Sequence, residues 1–105
     1  MSRESDRRRV LIRTHDLFFR AKLAGTVERA GWTAVTADDA PIAIVELRED
    51  ADILEIRTLM AQGSRVLAFG SHVAPQLLRR AREAGANAVP NSEIVDTVER
   101  VLAGA

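Results

Sequence analysis

The chain has 105 residues, and its fifteen basic and fifteen acidic side chains give a formal net charge of zero at neutral pH. This length suits one domain with a single hydrophobic core, so a second domain is excluded. A chain without net positive charge has no long-range field to collect phosphate backbones or anionic lipids, which argues against nucleic acid and membrane surfaces as partners.

Cysteine is absent from the sequence, so a disulfide framework and a thiolate site are both excluded. The first apolar run, residues 10–12, is far shorter than the core of a signal peptide, and no segment approaches the length of a membrane span. We therefore expect a cytoplasmic protein.

The amino-terminal part begins with a polar segment and continues with strand signals. Residues 1–8 are arginine-rich and aperiodic, which predicts a disordered arm in front of one domain over residues 9–103. The apolar run at residues 9–14 predicts the first strand. The β-branched run at residues 33–36 predicts the second.

A helix is predicted between these two strands. Asp16 is a typical N-cap, the helix runs to about Ala30, and Gly31 follows where a left-handed backbone is common. Its predicted buried stripe consists of Leu17, Ala21, Ala24 and Val27.

The segment at residues 41–47 has two interpretations. Two aspartates before it and a proline at its first position allow a helix, whereas its continuous apolar run is typical of a central parallel strand. We favour the strand, because the rival strand at residues 52–58 would bring charged side chains into the sheet and its apolar residues have helical spacing. Only residues 37–40 then connect strands two and three, so the second crossover helix must be shortened or missing.

The rest of the chain continues the alternation. Residues 65–70 predict a fourth strand, residues 75–84 a helix and residues 88–89 a brief fifth strand, after which Asn91 or Ser92 caps the last helix. The expected inward positions of these two helices are Leu77, Leu78, Ala81 and Ala84, then Ile94, Val95, Val98, Val101 and Leu102. This alternation predicts an α/β protein, a flavodoxin-like three-layer α/β/α sandwich around a five-stranded parallel sheet.

Four segments match a known pattern in order and spacing. Residues 10–16 resemble an apolar strand that ends in an acidic pair, and residues 42–46 resemble a strand that ends in a phospho-accepting aspartate. Residues 65–72 resemble the fourth strand, and residues 84–86, Ala-Gly-Ala, the run before the fifth. On these segments the chain resembles the receiver domain of bacterial response regulators (CheY-like), which implies the strand order 2-1-3-4-5.

The resemblance also implies which positions carry the chemistry. In receivers the acidic pair holds Mg²⁺, the aspartate attacks a phosphoryl group, and a hydroxyl and a lysine contact the phosphate. The residues at these positions here are Thr14 and His15 for the acidic pair, Glu46 for the aspartate, Gly70 for the hydroxyl, and Asn91 or Ser92 for the lysine. Because Mg²⁺ requires several hard oxygen ligands and phosphoryl transfer depends on charge neutralisation, we expect no phosphorylation. Glu46 would then be a permanent negative charge that loosely mimics the phosphorylated state.

Ligands of open parallel sheets bind beyond the carboxyl ends of the strands, where the strand order reverses. With the implied order, this edge collects a set of polar residues that we call the polar rim. Its members are Thr14, His15, Asp16, Glu46, Ser71, His72, Asn91 and Ser92.

Four interpretations of the polar rim stay open. His15 and His72 with Glu46 or Asp16 would suit Zn²⁺, although no typical ligand spacing supports this. A histidine and Glu46 could perform acid–base catalysis, although no nucleophile or oxyanion donor is identifiable. A small anion could bind at the amino terminus of the first or last helix. Alternatively, the rim side chains only bond to loop backbone and cap helices.

The function we favour is that of a stand-alone pseudo-receiver, a phosphorylation-independent protein-interaction or signalling module. It is expected not to be an enzyme and to have no catalytic, cofactor-binding or metal-binding residues. The expected partner is another protein or a second copy, as a homodimer, bound at the face of the helix at residues 75–84, the fifth strand and the last helix, because receivers commonly pair there. The alternative is a small-ligand or metal-binding protein that uses the polar rim.

Overall fold

Strands and helices alternate along the chain in a computed structural model that describes residues 7–37 and 39–105. The strands are β1 (Arg9–Arg13), β2 (Thr33–Val35), β3 (Ile42–Leu47), β4 (Arg65–Gly70) and β5 (Asn87–Pro90). The helices are α1 (Leu17–Arg29), α2 (Asp50–Ala61), α3 (Pro75–Glu83) and α4 (Ile94–Ala103), and a short 3₁₀ turn (Asn91–Glu93) precedes α4. The predicted arm lies outside the described residues except for Arg7 and Arg8, and it stays a prediction.

All five strands are parallel and form one sheet in the order β2-β1-β3-β4-β5. One apolar cluster lies between the sheet and α2 with α3, and includes Val45, Ile56 and Leu78. A second lies on the opposite face under α1 and α4, and includes Leu23 and Val98. The predicted flavodoxin-like three-layer sandwich and strand order 2-1-3-4-5 are therefore confirmed.

The central strand β3 is the segment that had two interpretations. Ile42, Ala43, Ile44 and Val45 are all buried, because helices cover both faces of the sheet at this position. The rival segment at residues 52–58 lies in α2. The strand interpretation of residues 41–47 is thus confirmed, and it sets Glu46 at the carboxyl end of the central strand.

The connection between β2 and β3 contains no helix among its described residues, 36–37 and 39–41. The prediction of a shortened or missing second helix is confirmed. No helix of the described part of the chain is long and apolar enough to cross a membrane.

The predicted buried stripe of α1 is correct for Val27, which is fully buried, and wrong for Leu17, which is 78% exposed, and for Ala21, which is also exposed. Ala24 is half-buried against the core. The fully buried leucine is Leu23, which lies four positions before Val27 and therefore shares the helix face that packs on the sheet.

The predicted cap of the last helix is also wrong. Asn91 and Ser92 lie in the 3₁₀ turn, and the residue before α4 is Glu93, whose side chain makes no capping bond. Pro90 has an extended backbone (φ −62°, ψ 158°), and the chain then needs one tight turn before the α-helix can begin at the buried Ile94.

Candidate functional site

Glu46 is the centre of the contacts at the carboxyl end of the sheet. The Thr14 hydroxyl donates to Glu46 Oε1 at 2.8 Å, and the His15 backbone N–H donates to the same oxygen at 3.1 Å. The Arg48 Nε–H donates to Glu46 Oε2 at 3.0 Å. The Glu46 side chain is only 13% exposed. One carboxylate therefore joins the loop after β1 to the loop after β3.

The environment of Glu46 favours its ionised form. Burial by itself would raise the pKa of this carboxyl, but hydrogen bonds from the Thr14 hydroxyl, the His15 N–H and Arg48 outweigh burial, together with the positive charge of Arg48. The pKa of Glu46 is therefore lower than its usual value of 4.5.

Asp16 caps the first helix. Its Oδ1 accepts the backbone N–H groups of Phe18 at 2.8 Å and Phe19 at 3.1 Å, which confirms the predicted N-cap. Its own N–H donates to Thr14 Oγ1 at 3.1 Å. These bonds use donors that a small anion at the start of α1 would require, so the structure does not favour that interpretation. An anion at the start of α4 stays a prediction.

The other half of the polar rim is not joined to Glu46. Ser71 Oγ accepts the Val73 N–H at 3.2 Å within its own loop. The side chains of His72, Asn91 and Ser92 are exposed, and no hydrogen bond in the described part of the chain connects them with Thr14, His15 or Glu46. Among residues 7–37 and 39–105, no group of three or more His, Cys, Asp or Glu side chains is arranged to hold a metal ion. The structure thus does not assemble the ligand set of the Zn²⁺ interpretation.

Three residues that sequence reasoning missed complete this corner. Arg20 Nη2 donates to the Thr14 carbonyl at 2.5 Å, and its buried Nε has no hydrogen-bond partner in the described residues. Asp52 Oδ2 accepts the backbone N–H groups of Arg48 at 2.7 Å and Glu49 at 2.9 Å. An acidic residue three positions after Glu49, as in a capping box, was a readable signal for Asp52. For Arg20 and Arg48, nothing in the sequence pattern indicates where a long side chain will turn.

A small cavity lies beside these contacts. It has a volume of about 200 Å³, and Thr14, His15, Arg20 and Glu46 are among its lining residues. Next to it, Arg13 Nε on β1 lies 2.9 Å from Glu55 Oε1 on α2, so this wall of the cavity is closed by an ion pair. Sites for small organic ligands usually have volumes of about 300–1,000 Å³, and this cavity is smaller.

Similarity to known proteins supports the fold and does not identify a function. No family model matches the sequence, and no curated protein matches it. The solved structures with a similar fold include the following two. A response regulator from Thermotoga maritima has a TM-score of 0.76 and 12% identity, covering 91% of this chain and 94% of that one. A protein provisionally described as pilus assembly-related, from Burkholderia pseudomallei K96243, has a TM-score of 0.71 and 17% identity, covering 95% and 90%. At these identities the likeness establishes a receiver-like fold.

Proposed function

We propose that this chain is a receiver-like signalling module that works by protein–protein contact and without phosphorylation. The observation that carries the proposal is the set of bonds around Glu46, the residue at the tip of the central strand. Its carboxylate has about four lone-pair positions, and three of them accept hydrogen bonds from Thr14, His15 and Arg48. A side chain held in this way is a structural tie between two loops, and its charge is balanced inside the protein instead of being displayed as a mimic of phosphorylation.

The residues of this corner do not fit Mg²⁺, the metal that the receiver fold implies. Mg²⁺ requires an octahedral set of hard oxygen ligands. Thr14 and His15 replace the acidic pair, the Asp16 carboxylate caps α1, and Arg48 already neutralises Glu46. A guanidinium here provides the positive charge that a metal ion would otherwise supply.

Gly70 supports the same interpretation. It stands where a receiver carries its hydroxyl, and a Cβ at this position would lie 3.2 Å from Leu47 Cβ and 3.4 Å from the Leu47 carbonyl oxygen. A serine or threonine here would require the end of β3 to move. The packing of the two central strands is therefore adapted to the absence of a side chain.

We expect the protein to remain unmodified when it is incubated with acetyl phosphate and Mg²⁺, or with beryllofluoride. Intact mass and fluorine NMR would measure this. Glu46→Asp, which restores the receiver residue, is the matched variant and should also stay unmodified, because the metal ligands and the hydroxyl are still absent. A stable adduct on the natural chain would contradict the proposal.

The proposed site of partner binding is the surface formed by α3, β5 and α4, which we call the contact face. Arg82 Nε on α3 donates to the Ala88 carbonyl of β5 at 3.0 Å, so α3 lies directly along this edge of the sheet. The exposed charges on α3 are mostly basic, as shown by Arg79 and Arg82, whereas Glu93 and Asp96 are acidic residues at the start of α4. A face with separated charges of both signs can pair with a second copy related by a two-fold axis, or with another protein of matching polarity.

Charge reversal on this face should weaken association. We expect Arg79→Glu to raise the dissociation constant of the dimer or complex by roughly three- to tenfold, because it replaces an attraction by a repulsion. Sedimentation velocity over a range of concentrations would measure it. Arg57→Glu, on α2 outside the contact face, is the control and should have little effect. A natural chain that stays monomeric and binds no protein from its source cell would argue against this part of the proposal.

A further inference from the structure

A groove runs along the outer edge of the sheet between β5 and α4. Its volume is about 420 Å³, within the range of small binding sites. The lining residues that matter here are Arg65, Asn87 and Val89 from the sheet, and Glu93, Arg100 and Val101 from the helix side. Val89 is half-buried and Val101 is 9% exposed, so the groove has a small apolar patch within a mainly polar lining.

The two ends of the groove carry opposite charges. Glu93 is at the amino terminus of α4 and Arg100 is near its carboxyl terminus. A rise of 1.5 Å per residue separates these two positions by about 10 Å along the helix axis. Arg65 is the first residue of β4, and the register pairs Leu67 with Asn87, so Arg65 lies at the amino end of the strands, the same end as Arg100.

These charged side chains form no ion pairs within the described part of the chain. None of Arg65, Arg100 and Glu93 forms a salt bridge with any residue of 7–37 or 39–105. Two guanidinium groups at one end and a carboxylate at the other therefore face the solvent with no ionic partner among these residues. A bound group of reversed polarity would satisfy both ends.

We propose that the groove binds an extended segment of a partner protein with an acidic, an apolar and a basic side chain at alternate positions. This inference rests on the proposed function, since it names the chemistry of the partner of the contact face. The acidic side chain would lie between Arg65 and Arg100, the apolar one on Val89 and Val101, and the basic one near Glu93.

The dimensions agree with this occupant. Alternate residues of an extended chain point to the same side, and four residues of extended chain span about 13 Å. The charged ends of the groove are about 10 Å apart. The flexible stems of glutamate and lysine cover the difference. The Ala88 carbonyl already accepts from Arg82, so the segment is held by its side chains and does not add a strand to the sheet.

A peptide titration tests the proposal on the full chain. The probe is a capped heptapeptide with glutamate, valine and lysine at positions two, four and six and serine elsewhere, and the control peptide has glutamine in place of glutamate. We expect the probe to shift the backbone amide NMR signals of Asn87, Val89 and Arg100. Arg65→Gln and Arg100→Gln should each weaken binding about tenfold, as expected for the loss of a charge-assisted hydrogen bond. Arg57→Gln, an exposed arginine on α2 outside the contact face, is the matched control and should change binding less than twofold.

Three outcomes would overturn the inference. The first is that the glutamine peptide binds as tightly as the glutamate probe, and the second is that the NMR signal shifts lie outside the groove residues. The third is that acetate or inorganic phosphate binds as tightly as the peptide and depends on the same arginines, which would make the groove a small-anion site. Failure here is distinguishable from failure of the proposed function. If the peptide does not bind but Arg79→Glu still weakens association, only the inference about the groove is wrong. If the chain forms a phosphoryl adduct, the proposal of phosphorylation independence is wrong, and the peptide result is unaffected.

Discussion

Replacing Phe69 with alanine is expected to lower the free energy of unfolding by about 3–5 kcal/mol. Phe69 on β4 is fully buried, and its ring centroid lies 5.1 Å from that of Phe19 on α1. Alanine would remove the apolar contact, leave a cavity under the helix and break an aromatic pair. Urea unfolding followed by circular dichroism would measure the loss as a lower midpoint with an unchanged slope.

Two further variants make this result interpretable. Phe18→Ala removes the ring next to Phe19 on α1. The Phe18 side chain is 68% exposed, so this change should alter the free energy of unfolding by less than about 0.5 kcal/mol. Phe69→Leu keeps most of the volume and should lose less than Phe69→Ala, so it stays measurable if the alanine variant does not fold. Equal losses at Phe18 and Phe69 would contradict the assignment of Phe69 to the core.

Glu46→Gln is expected to lower the free energy of unfolding at neutral pH by about 1–3 kcal/mol, the usual range for bonds to a charged group. The glutamine oxygen can still accept from Thr14 and His15. Its NH₂ group, however, would face the Arg48 guanidinium, and a donor would then oppose a donor. The same unfolding experiment at neutral pH measures this loss.

The pH dependence of this variant tests the charge itself. The pKa of Glu46 is lowered on folding, so its stabilising effect is present above the unfolded value of 4.5 and is lost as the pH falls through the folded value. The natural chain should therefore lose more stability between neutral and acidic pH than Glu46→Gln does. Glu99→Gln, which removes an exposed carboxylate of α4, should keep the natural pH dependence. Identical pH profiles for the natural chain and Glu46→Gln would show that the bonds around this carboxylate do not stabilise the fold.

The fold could be predicted where one of two interpretations carried a clear physical cost. Residues 41–47 could form a helix or a strand, and the strand was favoured because the rival strand at residues 52–58 would bring charged side chains into the sheet. In α1 the predicted stripe was correct at Val27, but it took Leu17 as the buried leucine where the structure buries Leu23. Spacing within a helix limits which residues share a face, and packing against the sheet determines which face is buried.

The candidate site could be predicted only in part, for a related reason. Strand order brings the ends of neighbouring strands together, so Thr14, His15 and Glu46 were expected to meet, and they do. Strand order does not determine how a loop turns after its strand, and the exposed His72 stays apart from them. Arg48 was missed because a flexible side chain with several rotatable bonds can reach many acceptors, and the choice depends on the finished packing.

The bond between Arg82 and the Ala88 carbonyl limits how this protein can assemble. Strand β5 is the last of its sheet, and an unprotected terminal strand is a template on which copy after copy can stack into fibres. A strand from another chain that paired with β5 at this position would first have to displace the Arg82 guanidinium from the Ala88 carbonyl. Association on this side is thereby directed to side chains and away from backbone pairing along β5.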